Sequence, residues 1–231
     1  EHKYIDSLVS FTEHLPTPVD VTNPARFDAK KFGSFLDDSS HSYFQKCRVI
    51  RSFTNSLLFL EGYLYDKPKG KLAFERAAKL CQQAGGKAGI ALSDPFCVDR
   101  HRDDFRRLVK DLDYVIGNEH EWSSLYQTDL SSALEQASRD AGMVVCTRSG
   151  EEVILLRGEE RAVVPVNRIV PVDATGAGDL FAAGFLYGIA TGQALATCGR
   201  MGCVAAAEVI SHYGARPEAD LQALFRQESL I

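Results

Sequence analysis

The chain has 231 residues, 45% of them hydrophobic and 25% charged, which is typical of a soluble globular protein with one α/β domain or two small ones. Its net charge of -5 and its dispersed basic residues give no reason to expect a nucleic-acid partner. The sequence shows neither a long apolar run nor a basic segment followed by an apolar one at its start, so neither a membrane span nor secretion is predicted. The six cysteines form no C-x-x-C pair, which favours reduced thiols in the cytoplasm over a zinc site.

The first quarter of the chain differs in pattern from the rest. Residues 1–54 show weak periodicity and several breakers, so we expect an irregular segment there, either loop-rich or with a few short helices. From about Leu57 onward, short apolar runs alternate with amphipathic stretches. The predicted strands lie at 56–65, 87–94, 113–118, 143–147 and on both sides of a Gly158 turn. The predicted helices lie at 68–86, 103–112, 119–127, 130–142, 180–192, 194–214 and 218–227. This alternation predicts an α/β fold with a doubly wound, mostly parallel sheet and helices on both faces.

Polar segments leave the ends of several predicted strands. They read "SDPFCVDR", "NEHE" and "TRSGE", and a fourth segment, "DATGAGD", leads into a helix. Because ligands of parallel sheets bind beyond the carboxyl ends of the strands, these segments are the predicted site loops. The charged stretch "DRHRDD" at 99–104 is predicted to be a solvated surface loop.

The "TGAGD" segment pairs a small-residue turn with an acid at a helix start. The backbone N–H groups of Gly176, Ala177 and Gly178 would form an anion hole, because a helix start has unpaired N–H groups and partial positive charge. Asp179, at or near the N-cap, is then predicted to be a general base that takes a proton from a substrate hydroxyl while the N–H groups hold a phosphoryl group. The structural alternative, an ordinary aspartate cap after two glycines, stays open at this point. No lysine follows as in a P-loop, and Phe181 stands where a dinucleotide fingerprint needs its third glycine.

The segment "VDATGAGDLFAAGFLYG" resembles the C-terminal signature of the ribokinase-type (PfkB) carbohydrate kinase family. Three further segments match motifs of the family and occur in the family's order along the chain: "NEHE", "VVCTRS" and "AAAEVISHYGARP". The resemblance implies that residues 55–231 are the C-terminal part of a ribokinase-like kinase domain that uses ATP and Mg²⁺, with K⁺ as a further ion. "IALSDPF" followed by "NEHE" is most similar to the adenosine-kinase branch, so the implied acceptor is a hydroxyl of a sugar or an adenosine-like nucleoside.

The resemblance also implies a role for each matching residue. Asp179 would be the base, and the N–H groups of Gly176, Ala177 and Gly178 would form the anion hole. Asn118 and Glu121 would organise Mg²⁺, through water, and the triphosphate, while Thr147 and Arg148 would lie near the ATP phosphates. Asp173 would bind a monovalent cation, and His212 and Gly214 would border the adenine. Structural alternatives remain for three of these assignments. Asn118 and Glu121 also fit a capping box, Arg148 a solvated loop residue, and His212 a helix-end histidine.

The chain departs from the family pattern in ways that affect the expected function. Residues 1–54 lack the G-G motif and the β lid that the family places over its substrate, so we expect a fold without the lid, and Ala174 stands where the family often has Thr. The first hypothesis is therefore an ATP-dependent small-molecule kinase, and the second a non-catalytic nucleotide-binding fragment or degenerate kinase on the same scaffold. A dinucleotide-dependent oxidoreductase is the weakest reading. Missing edge strands would leave an open sheet edge, so a homodimer through that edge also stays open.

Overall fold

The computed structural model describes residues 48–51 and 56–231. Within these ranges the chain divides into two compact units, one made of residues 48–51, 56–147 and 156–161 and the other of residues 148–155 and 162–231. The prediction for residues 1–54 lies outside the described residues, apart from Arg48–Arg51, which form a strand.

The first unit alternates strands and helices, as the sequence pattern predicts. Its strands are β1 (Arg48–Arg51), β2 (Ser56–Glu61), β3 (Lys87–Ala91), β4 (Tyr114–Asn118) and β5 (Val144–Thr147). Its helices are α1 (Pro68–Gln83), α2 (Pro95–Leu108), α3 (Glu119–Tyr126) and α4 (Leu130–Asp140), with short 3-10 turns at Gly62–Asp66 and Val109–Asp111.

Strands β2 to β5 pair in chain order and run parallel, while β1 pairs antiparallel with β2. The register sets Leu57 opposite Lys87 and Ile90 opposite Val115. Leu57, Ile90 and Val115 are fully buried, as expected of parallel strands, which read as continuous apolar runs because helices cover them. The expected α/β class with a mostly parallel sheet is therefore confirmed, and β1 makes the sheet mixed.

The 99–104 stretch is helical, so the predicted loop there was wrong, although Asp99, Arg100 and Asp103 are exposed to solvent as predicted. Helix α2 begins at Pro95, and the Asp94 carboxylate caps it by accepting the Cys97 N–H at 2.7 Å. Arg100 donates Nε and Nη2 to the two oxygens of Asp66, each at 3.1 Å. An Asp-Pro pair is a common helix start, because Asp caps well and proline lacks the N–H that a first helical residue leaves unpaired.

The second unit is mainly helical. Two neighbouring strands, β6 (Val153–Arg157) and β7 (Glu160–Val164), flank the predicted Gly158 turn. The turn and the strand ends next to it, residues 156–161, are counted with the first unit. The helices that follow are α5 (Ala177–Ala190), α6 (Leu195–Ile210) and α7 (Leu221–Gln227). Helix α5 is buried on almost all sides. The ring centroids of Phe181 and Phe185 lie 6.2 Å apart in a stacked arrangement, and those of Tyr187 and Phe225 of α7 lie 5.8 Å apart. Among the residues that the structure describes, no helix has the length and apolar character needed to cross a membrane.

Candidate active site

Asn118 and Glu121 form a reciprocal capping box at the start of α3. Asn118 is the last residue of β4 and the N-cap of the helix; its Oδ1 accepts the N–H groups of His120 and Glu121, each at 2.9 Å. In return, Glu121 Oε2 accepts the Asn118 N–H at 2.8 Å and Oε1 accepts from Asn118 Nδ2 at 2.6 Å. The capping alternative therefore describes the local structure, and it holds both side chains rigidly at the carboxyl end of a parallel strand.

The Glu121 carboxyl is unusually buried for an acid. Only 5% of the residue is exposed. Burial raises the pKa of Glu121 to about 7, with Asp94 contributing in the same direction, while the Asn118 N–H lowers it. Gly117 leaves room for this carboxyl, since a Cβ on Gly117 would lie 3.1 Å from Glu121 Oε2. A buried acid at a strand end has the oxygen chemistry to orient the hydration shell of a hard cation such as Mg²⁺.

Thr147 joins this pair through the sheet. It ends β5, and the register sets it directly opposite Asn118. The first unit thus brings together three of the residues that the sequence singled out: Asn118, Glu121 and Thr147.

The "TGAGD" segment forms the N-terminus of α5 in the second unit. Gly176 is the N-cap, with φ of 84° and ψ of 0°, a left-handed conformation that a residue with a side chain rarely adopts. The helix begins at Ala177, so Asp179 is its third residue, within the first turn rather than at the cap, and it is half-buried. The Ala177 N–H donates to the Ala174 carbonyl at 3.3 Å. The expected anion-hole residues and the expected base therefore lie together at the positive end of a helix.

Asp173 connects this turn to the segment after α6. Its Oδ1 accepts the Thr175 N–H at 2.9 Å, and its Oδ2 accepts the Gly214 N–H at 3.0 Å. A Cβ on Gly176 would lie 3.0 Å from the Ala215 Cβ, which shows how closely the two segments approach. Asp173 and Gly176 thus lie beside Gly214 and Ala215, which are far away along the chain.

A cavity of about 740 Å³ lies in the second unit. Its lining includes the apolar side chains of Ile169, Val204 and Ala207 and the polar side chains of Glu208 and His212. Gly214 is not among its lining residues. His212 Nε2 lies 3.3 Å from Glu208 Oε1. Partial burial lowers the pKa of His212, but the Tyr213 carbonyl and the carboxylates of Glu208 and Glu218 outweigh it and raise that pKa above the ordinary 6.5.

Two other charged groups are engaged within the fold. Arg148 contacts Glu151 and Glu152, each at 2.5 Å. The guanidinium that the family resemblance assigns to the ATP phosphates is therefore already paired with two carboxylates.

Sequence reasoning missed Glu208, although its spacing of four residues before His212 at a helix end is the signal of an acid–histidine pair.

One side-chain group in the first unit has the residue types of a metal site. The ligand atoms of Asp66, Cys97 and His101 lie within 4.8 Å of one another. Asp66, however, already binds Arg100 through both oxygens, and burial, followed by the charges of Asp66 and Asp94, raises the pKa of the Cys97 thiol to about 12. A neutral thiol beside a paired carboxylate is a poor cation ligand, so this group is accounted for as packing between α2 and the 3-10 turn at Gly62–Asp66.

Comparison with known proteins places this geometry in a family. Residues 31–221 match the profile described as pfkB family carbohydrate kinase. A relative from Archaeoglobus fulgidus, described as an uncharacterized sugar kinase, is 36% identical over 120 residues, which make up 51% of this chain and 48% of the relative.

Solved structures agree with this match. A probable sugar kinase from Rhizobium etli is 42% identical with a TM-score of 0.74, over 76% of this chain and 54% of that chain. The adenosine kinase from Sinorhizobium meliloti is 40% identical with a TM-score of 0.72, over 74% of this chain and 54% of that chain. The chain spans about half the length of these relatives. Because the profile covers well over half of the sequence and the fold agrees, the chain belongs to the pfkB family of carbohydrate kinases.

Proposed function

We propose that this protein is an ATP-dependent phosphotransferase that moves the γ-phosphate of ATP to a hydroxyl of a sugar or an adenosine-like nucleoside. The observation that carries the proposal is the half-buried Asp179 in the first turn of α5, directly after the left-handed Gly176 cap. The positive end of the helix stabilises an acid at this place, but the acid would also repel an arriving phosphoryl group, so pairing it with an anion hole needs a chemical reason. That combination suits a reaction in which a base and an anion-stabilising group act on one phosphoryl group.

In this proposal Asp179 accepts the proton of the acceptor hydroxyl as its oxygen attacks the γ-phosphorus. The bond between that phosphorus and the bridging oxygen of ADP breaks, and ADP leaves with the electron pair. The N–H groups of Gly176, Ala177 and Gly178 stabilise the negative charge on the transferred group. Electrostatic stabilisation of this kind and correct alignment supply most of the catalysis in phosphoryl transfer.

The proposal assigns the remaining residues to nucleotide and ions. Asn118 and Glu121 would hold Mg²⁺ through water, in keeping with the hydrogen bond between the Asn118 amide and the buried Glu121 carboxyl. When bound, the ion neutralises charge on the triphosphate. Thr147 and Arg148 would lie near the phosphates, where Arg148 would exchange its contacts with Glu151 and Glu152 for the nucleotide. The Asp173 carboxylate offers hard oxygen ligands to K⁺.

The cavity in the second unit is the proposed adenine site. Its lining combines apolar side chains such as Ile169 and Val204 with several polar and charged ones, among them Glu208 and His212, and a pocket that mixes apolar surface with hydrogen-bonding groups suits a nucleobase. The adenosine-like acceptor is supported by the adenosine kinase relative, and the sugar alternative by the sugar kinase relatives.

A second function is favoured by a specific observation. Arg148 is already paired with Glu151 and Glu152, and the Ala177 N–H already donates to the Ala174 carbonyl. The competing proposal is therefore a nucleotide-binding module or degenerate kinase that transfers no phosphate. An acceptor that is not held in line with the γ-phosphate would react slowly even with ATP bound.

The deciding experiment measures ATP binding by calorimetry and ATP consumption with Mg²⁺ and K⁺ across adenosine, other nucleosides and common sugars, with products identified by mass spectrometry. A phosphorylated acceptor supports the kinase and names its substrate class. ATP binding without any phosphorylated product supports the binding module. No ATP binding at all would contradict both.

A further inference from the structure

Glu208 holds together the two ends of the segment that follows α6. We call residues 211–219 the α6–α7 segment. Glu208 Oε1 accepts the N–H groups of Glu218 and Ala219, each at 2.8 Å, at the far end of the segment. The same oxygen lies 3.3 Å from His212 Nε2 at its near end. The side chain of Glu208 is only 7% exposed, and hydrogen bonds of backbone N–H groups to a buried carboxylate are among the stronger ones in proteins.

The middle of the α6–α7 segment contacts the turn before α5. The Gly214 N–H donates to Asp173, and Ala215 packs against Gly176. The segment is therefore fastened at its ends by Glu208 and rests with its middle on the "DATGAGD" turn. None of the Glu208 hydrogen bonds given above is made to that turn. Glu208 also lines the cavity.

From this arrangement we propose that Glu208 is a positioning residue for nucleotide binding: it closes the α6–α7 segment so that Gly214 and Ala215 hold the Asp173–Gly176 turn in its binding conformation. This inference rests on the proposed function for the meaning of that turn, but the fastening of the segment is a property of the free protein. Binding sites need such supporting contacts, because small displacements of a phosphate-binding turn weaken every hydrogen bond it makes.

The first test uses the full chain without nucleotide. Amide hydrogen exchange by mass spectrometry compares the wild-type protein with Glu208→Ala and Glu208→Gln. We expect Glu208→Ala to speed exchange at residues 212–219 by about 10- to 100-fold, because two N–H groups lose their charged acceptor. Glu208→Gln should stay close to wild type, because its amide oxygen can accept the same two N–H groups. Unchanged exchange in Glu208→Ala would overturn the fastening role.

The second test measures the affinity for ATP. Glu208→Ala should weaken ATP binding by about 10-fold, which corresponds to about 1.4 kcal/mol, and Glu208→Gln should restore most of it. The control is Glu159→Ala, which removes one acid from the exposed β6–β7 turn and should change neither exchange at 212–219 nor ATP affinity. Equal ATP affinity in Glu208→Ala and wild type would overturn the positioning role.

A double-mutant cycle separates positioning from direct contact with the nucleotide. If Glu208 acts through the segment, the losses in ATP affinity from Glu208→Ala and Asp173→Asn are less than additive, because both variants release the same contact between segment and turn. Additive losses would overturn the route through Asp173. A wild-type chain that fails to bind ATP overturns the proposed function, whereas the exchange result still decides whether Glu208 holds the segment. If Glu208→Ala does not fold, as judged by urea unfolding, Glu208→Asp takes its place, since it shortens the reach of the carboxylate and should raise exchange in the same residues.

Discussion

The backbone N–H of Gly214 donates to Oδ2 of Asp173 over 3.0 Å, although 41 residues separate the two. Oδ1 of the same carboxylate accepts the Thr175 N–H, so the acid is held from both sides. Asp173 lies three residues before Gly176, the N-cap of α5. The hydrogen bond from Gly214 is therefore made to the turn that is proposed to bind the transferred phosphoryl group.

Asp179→Asn should reduce turnover by about 10²- to 10⁴-fold and leave ATP affinity unchanged, because the amide cannot accept the hydroxyl proton but occupies the same space. Steady-state kinetics and calorimetry on the same preparation test this. Asp220→Asn is the matched control: Asp220 caps α7, and Asn caps a helix about as well as Asp. Turnover that survives in Asp179→Asn would refute the assignment of the base.

Potassium should raise ATP affinity or turnover relative to tetramethylammonium at equal ionic strength, because Asp173 presents hard carboxylate oxygens beside the phosphate turn. Asp173→Asn should weaken this response, since it removes the charge that attracts the ion. Titrations of both salts into both proteins provide the comparison. An equal response to the two cations in the wild-type protein would argue against a cation site at Asp173.

Gly176→Ala and Gly178→Ala should change stability in opposite directions. At Gly176 the left-handed φ of 84° costs a residue with a side chain about 1–2 kcal/mol, and the new Cβ would lie 3.0 Å from Ala215. At Gly178, inside α5, a Cβ meets no atom within 4 Å, so alanine should stabilise the helix by about 0.5–1 kcal/mol. Urea unfolding of both variants measures the difference. The order of stabilities would have to be Gly178→Ala above wild type above Gly176→Ala; any other order contradicts the geometry.

Asn118→Ala should lower the free energy of unfolding by about 0.5–2 kcal/mol, because it removes the cap of α3 and leaves the buried Glu121 carboxyl without the donor at Nδ2. Asn118→Ser is the control, since serine caps a helix well and should recover most of the lost stability. Denaturant titration separates the two. Equal stability of Asn118→Ala and wild type would show that the capping box contributes little.

Stability should depend on pH through His212. Because its folded pKa is raised above the ordinary 6.5, the folded state binds the proton more tightly than the unfolded state does. The contribution to stability is thus fully present below pH 6.5 and is lost as pH rises through the folded pKa. His212→Gln should flatten this part of the profile between about pH 5 and pH 8. Urea midpoints across that range test it, and parallel profiles for the two proteins would contradict the assignment to His212.

The sequence predicted the alternation of elements well, because the parallel strands β2 to β5 are largely apolar runs and most helices carry start and stop residues. Helix α2 shows the limit of reading periodicity alone, and so does the predicted strand at 56–65, which ends at Glu61 before a 3-10 turn. The second turn of α2, residues 99–102, is charged, and the contacts that hold it, such as Arg100 with Asp66, join distant parts of the chain. The Asp94-Pro95 cap was the local signal that marked its true start.

The local structure of the candidate site was also predictable from the sequence. The "TGAGD" turn and the "NEHE" box depend on neighbours within a few residues, since a cap needs only its own side chain and the next N–H groups. The tertiary structure decided which distant residues support them: Gly214 on Asp173, Ala215 against Gly176, and Glu208 at both ends of the α6–α7 segment. Hydrogen bonds between such distant groups leave no periodic pattern in a sequence, because their partners are set by how helices and strands pack rather than by spacing along the chain.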